Sequence, residues 1–172
     1  VMDGIICCAD IPSSVSLAEI HRPIVMIDRY VTEGIPCIHS DHKRGGELAA
    51  QALLSAGCKN VLYFASSATE RGCSMDRYRR FAEVCKQHKC KITAIDAGSK
   101  ILNFQSGPTI WKKYISHFDG IDGLFTADVT AAACMKMLQK KGIKIPKKLK
   151  VVGYDGLDFT RFLTPELTTV CQ

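Results

Sequence analysis

Apolar residues along this 172-residue chain fall into two alternating kinds of segment. Short continuous apolar runs are bounded by turn residues. Longer stretches carry apolar positions at three- and four-residue spacing. The runs at 4–8, 23–27 and, more briefly, 37–39 predict three strands near the start. A helix is expected over 43–56, with Leu48, Ala49, Ala52, Leu53 and Ala56 on its apolar face. Asp41 suits its N-cap and Gly57 its C-terminal end. Next come a strand at 60–65 and a helix at 75–88, whose inner stripe is Tyr78, Phe81, Ala82 and Cys85. A strand at 92–95 precedes a helix at 108–118, with Ile110, Trp111, Tyr114, Ile115 and Phe118 as its apolar positions. A strand at 123–126, a helix at 130–141 and a strand at 149–153 complete a β-α-β-α-β-α-β unit over 60–153. Apolar strands separated by helices imply an α/β fold with a parallel sheet covered on both faces. Gly57-Cys58-Lys59 is the expected joint between two lobes. The last stretch, 167–172, is extended and β-branched, with no strand partner in its local neighbourhood.

Composition adds bounds. At 47% hydrophobic and 23% charged residues, the chain reads as an ordinary globular protein, long enough to bury roughly 70% of its unfolded surface. No apolar run reaches the roughly 20 residues that a membrane-spanning helix needs. The start, Val1 to Ile6, has no basic region before its apolar residues and does not read as a signal peptide. The net charge of +6 is mild. Its late lysines, Lys140, Lys141, Lys144, Lys147, Lys148 and Lys150, read as a helix end and a solvated turn around Pro146. No aromatic residues interleave with them to make a nucleic-acid stacking surface. Nine cysteines at irregular spacing read as free thiols of a reducing, cytoplasmic compartment. Cys85, His88 and Cys90 lack the paired spacing of a structural zinc site; no metal and no cofactor are expected.

In an open parallel sheet, ligands sit beyond the carboxyl ends of the strands. Those ends carry Ser66, Ser67, Thr69, Arg71, Asp76 and Arg77, then Asp96, then Asp128, then Tyr154, Asp155 and Asp158. Carboxylates accept from hydroxyls and arginine donates, so the set suits a neutral polyhydroxyl ligand. Catalytic motifs are missing: there is no nucleophile elbow, no phosphate-binding P-loop and no dinucleotide fingerprint. His39 and His42 lie near Asp41 with no nucleophile beside them and read as loop residues. Asp128 and Asp155 could hold magnesium in an enzyme, and Asp128 could simply cap the following helix.

Several blocks together are similar to one family. They are D-G-I-I from Asp3, R-P-I-V-M-I-D-R from Arg22, S-D-H-K-R-G-G-E-L-A-A-Q-A-L-L-S-A-G-C-K-N-V from Ser40, and R-Y-R-R-F from Arg77. Then follow F-T-A-D-V-T-A from Phe125, K-G-I-K-I-P through V-V-G-Y-D-G to Gly156, and T-P-E-L-T-T-V from Thr164. In this order they resemble the LacI/GalR family of bacterial transcription regulators. The resemblance implies a two-lobed periplasmic-binding-protein-like fold, with parallel sheets flanked by helices and incomplete at both ends. By that likeness, 1–58 is part of the N-terminal lobe, 59–166 is most of the C-terminal lobe, and 167–172 is a strand crossing back to the first lobe.

The resemblance also implies a function. The chain would be the effector-binding and dimerisation core of a repressor, with operator DNA held by a headpiece outside this segment. The effector would be a sugar or sugar phosphate, or a purine or nucleoside. Arg77 and Asp155 match effector-binding positions of the family, and so does Asp128, although Ala127 stands where the family has asparagine. Arg44 and Asp41 would face the cleft. Phe104 would replace the stacking aromatic, since Leu102 stands at its usual place. A homodimer is expected through 130–141 and 159–163. A sugar-binding protein of a transport system is the alternative.

Overall fold

The computed structural model describes residues 3–8, 15–16, 19–28, 34–65, 73–96 and 114–172. Three short strands, β1 (Ile5–Cys7), β2 (Ile24–Ile27) and β3 (Cys37–Ile38), pair in parallel in the order β1-β2-β3. Helix α1 (His42–Ser55) follows. Then come β4 (Asn60–Ala65), α2 (Cys73–Gln87), β5 (Lys91–Asp96), a 3-10 turn at Ile115–Phe118 and β6 (Gly123–Phe125). Helix α3 (Asp128–Lys140), β7 (Lys150–Asp155), a second 3-10 turn at Asp158–Phe162 and β8 (Thr168–Cys171) end the chain. The second sheet is wholly parallel, in the order β5-β4-β6-β7-β8.

Alternation along β4 explains why this sheet is covered on both faces. Val61, Tyr63 and Ala65 point to one side and join Ala49, Ala50 and Leu53 of α1 and Phe81, Val84 and Cys85 of α2. Leu62 and Phe64 point to the other and meet Ala131, Cys134, Met135 and Leu138 of α3, with Tyr114 and Phe118. The period of two thus serves two separate cores. The chain reverses direction across the sheet between β4 and β6, the place where doubly wound sheets open a crevice at their carboxyl ends.

Several expectations need correction. The lobe boundary at 58 falls inside the second packed unit, because Ala49, Ala50 and Leu53 are fully buried in its core and Cys58 is only 3% exposed. The Gly57–Lys59 joint is therefore no hinge between units. The final strand pairs with β7, Thr169 opposite Gly153 and Val170 opposite Tyr154, so it extends the second sheet and does not return to the first. On α1 the buried face is His42, Gly45, Gly46, Ala49, Ala50 and Leu53, while Leu48 is half exposed. Of the helix expected over 108–118, residues 108–113 lie outside the described residues, and 115–118 form a 3-10 turn. Asp41 caps α1 as expected, accepting the backbone N–H of Arg44 at 2.9 Å.

Two adjacent glycines set how closely α1 can lie. A Cβ on Gly46 would strike the backbone carbonyl of Arg77 on α2, and a Cβ on Gly45 would lie 2.6 Å from the Tyr154 ring. Backbone cannot yield as a side chain can. Gly46→Ala should therefore lower stability by about 2 kcal/mol, within the range for overpacking, read as a lower urea midpoint. Leu48→Ala, on the exposed side, should cost well under half of that.

Candidate functional site

The carboxyl ends of β4, β6, β7 and β8 gather most of the described chemistry. Arg77 stands in the second turn of α2, and its guanidinium carbon lies 3.3 Å from the centroid of the Tyr154 ring. An arginine face stacked on a phenol gains cation–π attraction and is held flat. One Nη2 lies 3.3 Å from Nδ1 of His42. Its Nε is buried and has no hydrogen-bond partner among the described residues. A buried N–H left unpaired costs about 1–3 kcal/mol, so this donor is set to reward an incoming acceptor.

Asp155 ends β7 with φ of 121°, a positive value that costs an L residue backbone strain, and Gly156 follows at 77°. Its Oδ1 accepts from Nε2 of Gln172 at 2.9 Å. Burial pushes its carboxyl pKa above the ordinary range; Arg77 and the Gln172 amide pull it down, and Asp128 adds to the rise. Gln172 in turn accepts from the Ser40 hydroxyl at 2.8 Å, so Ser40, Gln172 and Asp155 form a chain from the end of the first sheet to the second.

Asp128 is placed differently. It is fully buried. One oxygen accepts the backbone N–H of Leu157 at 2.8 Å and the other the Thr169 hydroxyl at 2.6 Å. A Cβ on Gly153 would collide with this carboxylate. The N-cap of α3 is Ala127, without a side-chain bond, so Asp128 does not cap the helix; it fastens the turn after β7 and the middle of β8. Arg44 is drawn to Glu47 at 3.5 Å, and Glu47 also pairs with Arg80 at 3.4 Å. Asp41 is engaged as the cap of α1. Phe104 lies outside the described residues, as do Ser66, Ser67, Thr69, Arg71 and Leu102. Asp76 pairs with Arg79 on the open side of α2. Cys85 and Cys90 sit in the core, where burial lifts both thiols, Cys85 to about 12.

The structure thus brings Arg77 and Asp155 to one place and adds Gln172 and Ser40, which the sequence pattern did not single out, and His42, which it set aside. His42 was expected in a loop. It is instead 4% exposed, with Nε2 at 2.8 Å from Asp28 Oδ1 and Nδ1 at 3.2 Å from the Tyr154 hydroxyl. The only signal for it in the sequence is its position on the inward face of a helix that opens with Asp41 and continues into two glycines.

A carboxyl whose folded pKa is raised binds its proton more readily folded than unfolded. Asp155 therefore costs stability at neutral pH. The cost vanishes below the unfolded Asp pKa of about 3.9 and grows as pH rises through the folded value. Asp155→Asn should accordingly melt higher than the parent at pH 7, and the gap should close on acidification. A gap that stays constant down to about pH 3 would contradict this sign.

Residues 50–172 match the periplasmic binding protein-like domain. A ribose operon repressor of Halalkalibacterium halodurans is 32% identical over 172 residues, covering 99% of this chain and 51% of that protein. The chain spans about half the length of the curated relatives it matches. A LacI-family regulator from Enterococcus faecalis V583, solved with bound ribose, superposes with a TM-score of 0.77 at 26% identity, covering 100% of this chain and 63% of that one. A periplasmic binding protein/LacI transcriptional regulator from Alkaliphilus metalliredigens QYMF, complexed with D-xylulofuranose, gives 0.74 at 27% identity, covering 91% and 58%.

Proposed function

Because the chain belongs to the periplasmic-binding-protein-like family, we propose that it is the effector-binding and dimerisation core of a DNA-binding transcriptional repressor that senses a sugar. The observation that carries this reading is the convergence of Arg77, Asp155 and Gln172 at the carboxyl ends of the second sheet, hydrogen-bonded through His42 and Ser40 to the end of the first. The arrangement is that of a binding site: a stacked donor with an unpaired N–H, a carboxylate and an amide, with no nucleophile among them. Each ring hydroxyl of a pentose can donate to Asp155 and accept from Arg77. A ligand lodged there touches both units and favours one arrangement over the other. Through that preference it shifts operator affinity by a coupling free energy, typically 1–3 kcal/mol.

The relatives name the first compounds to try. Ribose is bound in the Enterococcus regulator and D-xylulofuranose in the Alkaliphilus one. A sugar phosphate or purine is the wider range. The cytoplasm is the compartment in which we place it, as the free thiols suggest. We also assign pairing of two chains to the face carrying α3 and the second 3-10 turn. There Gln139 donates to the Thr164 carbonyl at 2.7 Å, and Phe162 is 85% exposed. A phenylalanine standing this far into solvent is the kind of anchor that a partner surface buries.

D-Ribose at 100 times its dissociation constant should add about 2.7 kcal/mol to stability, read as a rise in melting temperature. Arg77→Ala removes a charge-assisted hydrogen bond worth about 1.5–3 kcal/mol and should weaken binding at least about tenfold. If Arg77→Ala and Asp155→Ala both bind like the parent, the site is elsewhere. For the pairing surface, Phe162→Asp should shift sedimentation towards the single chain and leave the sugar-induced rise in melting temperature in place.

A further inference from the structure

The geometry assigns His42 the role of positioning residue for Arg77: its imidazole holds the guanidinium over the site and ties it to Asp28 of the first sheet. The assignment rests on the reading of Arg77 as an effector contact.

Hydrogen-bond polarity fixes the state of the ring. Asp28 Oδ1, 2.8 Å from Nε2, is a carboxylate acceptor, so Nε2 carries the proton. The lone pair is then on Nδ1. It faces Nη2 of Arg77 at 3.3 Å and the Tyr154 hydroxyl at 3.2 Å. Arginine has donors only, so its bond to His42 exists only while Nδ1 is bare. Several elements pack on the ring and fix its place. Asp28, at the end of β2, holds Nε2, and Ser40 N shares the same oxygen at 3.3 Å. Arg77 of α2 faces Nδ1. From β7 come Tyr154 and, next in the chain, Asp155. His39 stacks at 6.3 Å between centroids, and Asp41, Lys43 and Arg44 flank the ring on its own segment. The ring, with Nδ1 as acceptor, therefore presents Arg77 to the ligand. His42 is also the side chain that joins Arg77 to the first sheet, so Arg77 is presented only when Asp28 is in place.

The test uses the natural full-length protein and two substitutions that split the imidazole. His42→Asn keeps an acceptor near the Nδ1 position and gives up Asp28. His42→Gln keeps a donor towards Asp28 and gives up the acceptor. With D-ribose as the probe, His42→Asn should bind within about threefold of the parent and His42→Gln about tenfold more weakly, the value of one hydrogen bond. Nitrogen NMR of the unliganded proteins gives a readout that needs no sugar: the Nε2–H tautomer in the parent, and a slowly exchanging Arg77 guanidinium in parent and His42→Asn but not in His42→Gln. Equal affinities and equal Arg77 spectra for the two variants overturn the assignment, as does an Nδ1–H tautomer. If D-ribose and other sugars leave the parent's melting temperature unchanged, the effector reading fails, while the spectra still decide the role of His42.

Discussion

The close approach of α1 to α2 and to Tyr154 is the constraint on which the site depends. It is possible because Gly45 and Gly46 have no side chains: one leaves room for the Tyr154 ring and the other for the backbone of Arg77. With the two helices this near, His42 at the start of α1 reaches across to Arg77, and Arg77 lies flat on Tyr154. Any side chain wedged at either glycine would push α2 outward and take the guanidinium with it. The helix pair therefore serves the core and the site with the same contact: Ala49, Ala50 and Leu53 bury apolar area a turn or two below the place where the polar groups meet.

A second constraint holds the other wall. Asp128 is a buried charge, and a buried charge is tolerated when its lone pairs are filled. The Leu157 amide and the Thr169 hydroxyl fill them. Both partners follow the point where Asp155 turns the chain through a positive φ. The carboxylate thus fixes the strained corner and the adjacent edge strand together, and so fixes the spacing between Asp155 and Gln172. Its role in the site is indirect, through the backbone that it pins.

How far this was legible in the sequence follows from the range of each interaction. The α/β alternation and the parallel sheet were legible, because strands buried on both faces leave continuous apolar runs such as that from Val61 to Ala65. The unit to which α1 belongs was not, since periodicity tells which face is buried and not what buries it. Its face was misjudged for a related reason. Leu48 carries a strong hydrophobic signal and is half exposed, while Gly45 and Gly46 carry none and are the most tightly packed. Arg77 and Asp155 stood out by their chemistry at strand ends. His42 and Gln172 did not, since their partners lie 14, 35 and 112 positions away in one case and 17 and 132 in the other. An imidazole and an amide show no purpose until folding supplies what they bond to.

The two units meet in a manner suited to the sensing role proposed above. Both apolar clusters of the second unit are built without any residue of the first sheet. Polar side-chain links cross the junction: His42 to Asp28, with Ser40 bonding both Asp28 and Gln172. Separating packed cores would cost apolar area at about 25 cal/mol per Å². Exchanging a few hydrogen bonds with water costs only about 0.5–1.5 kcal/mol each. A ligand worth a few well-placed hydrogen bonds therefore has energy enough to change which arrangement prevails. Had the junction been apolar and closely packed, the same ligand would bind without moving anything.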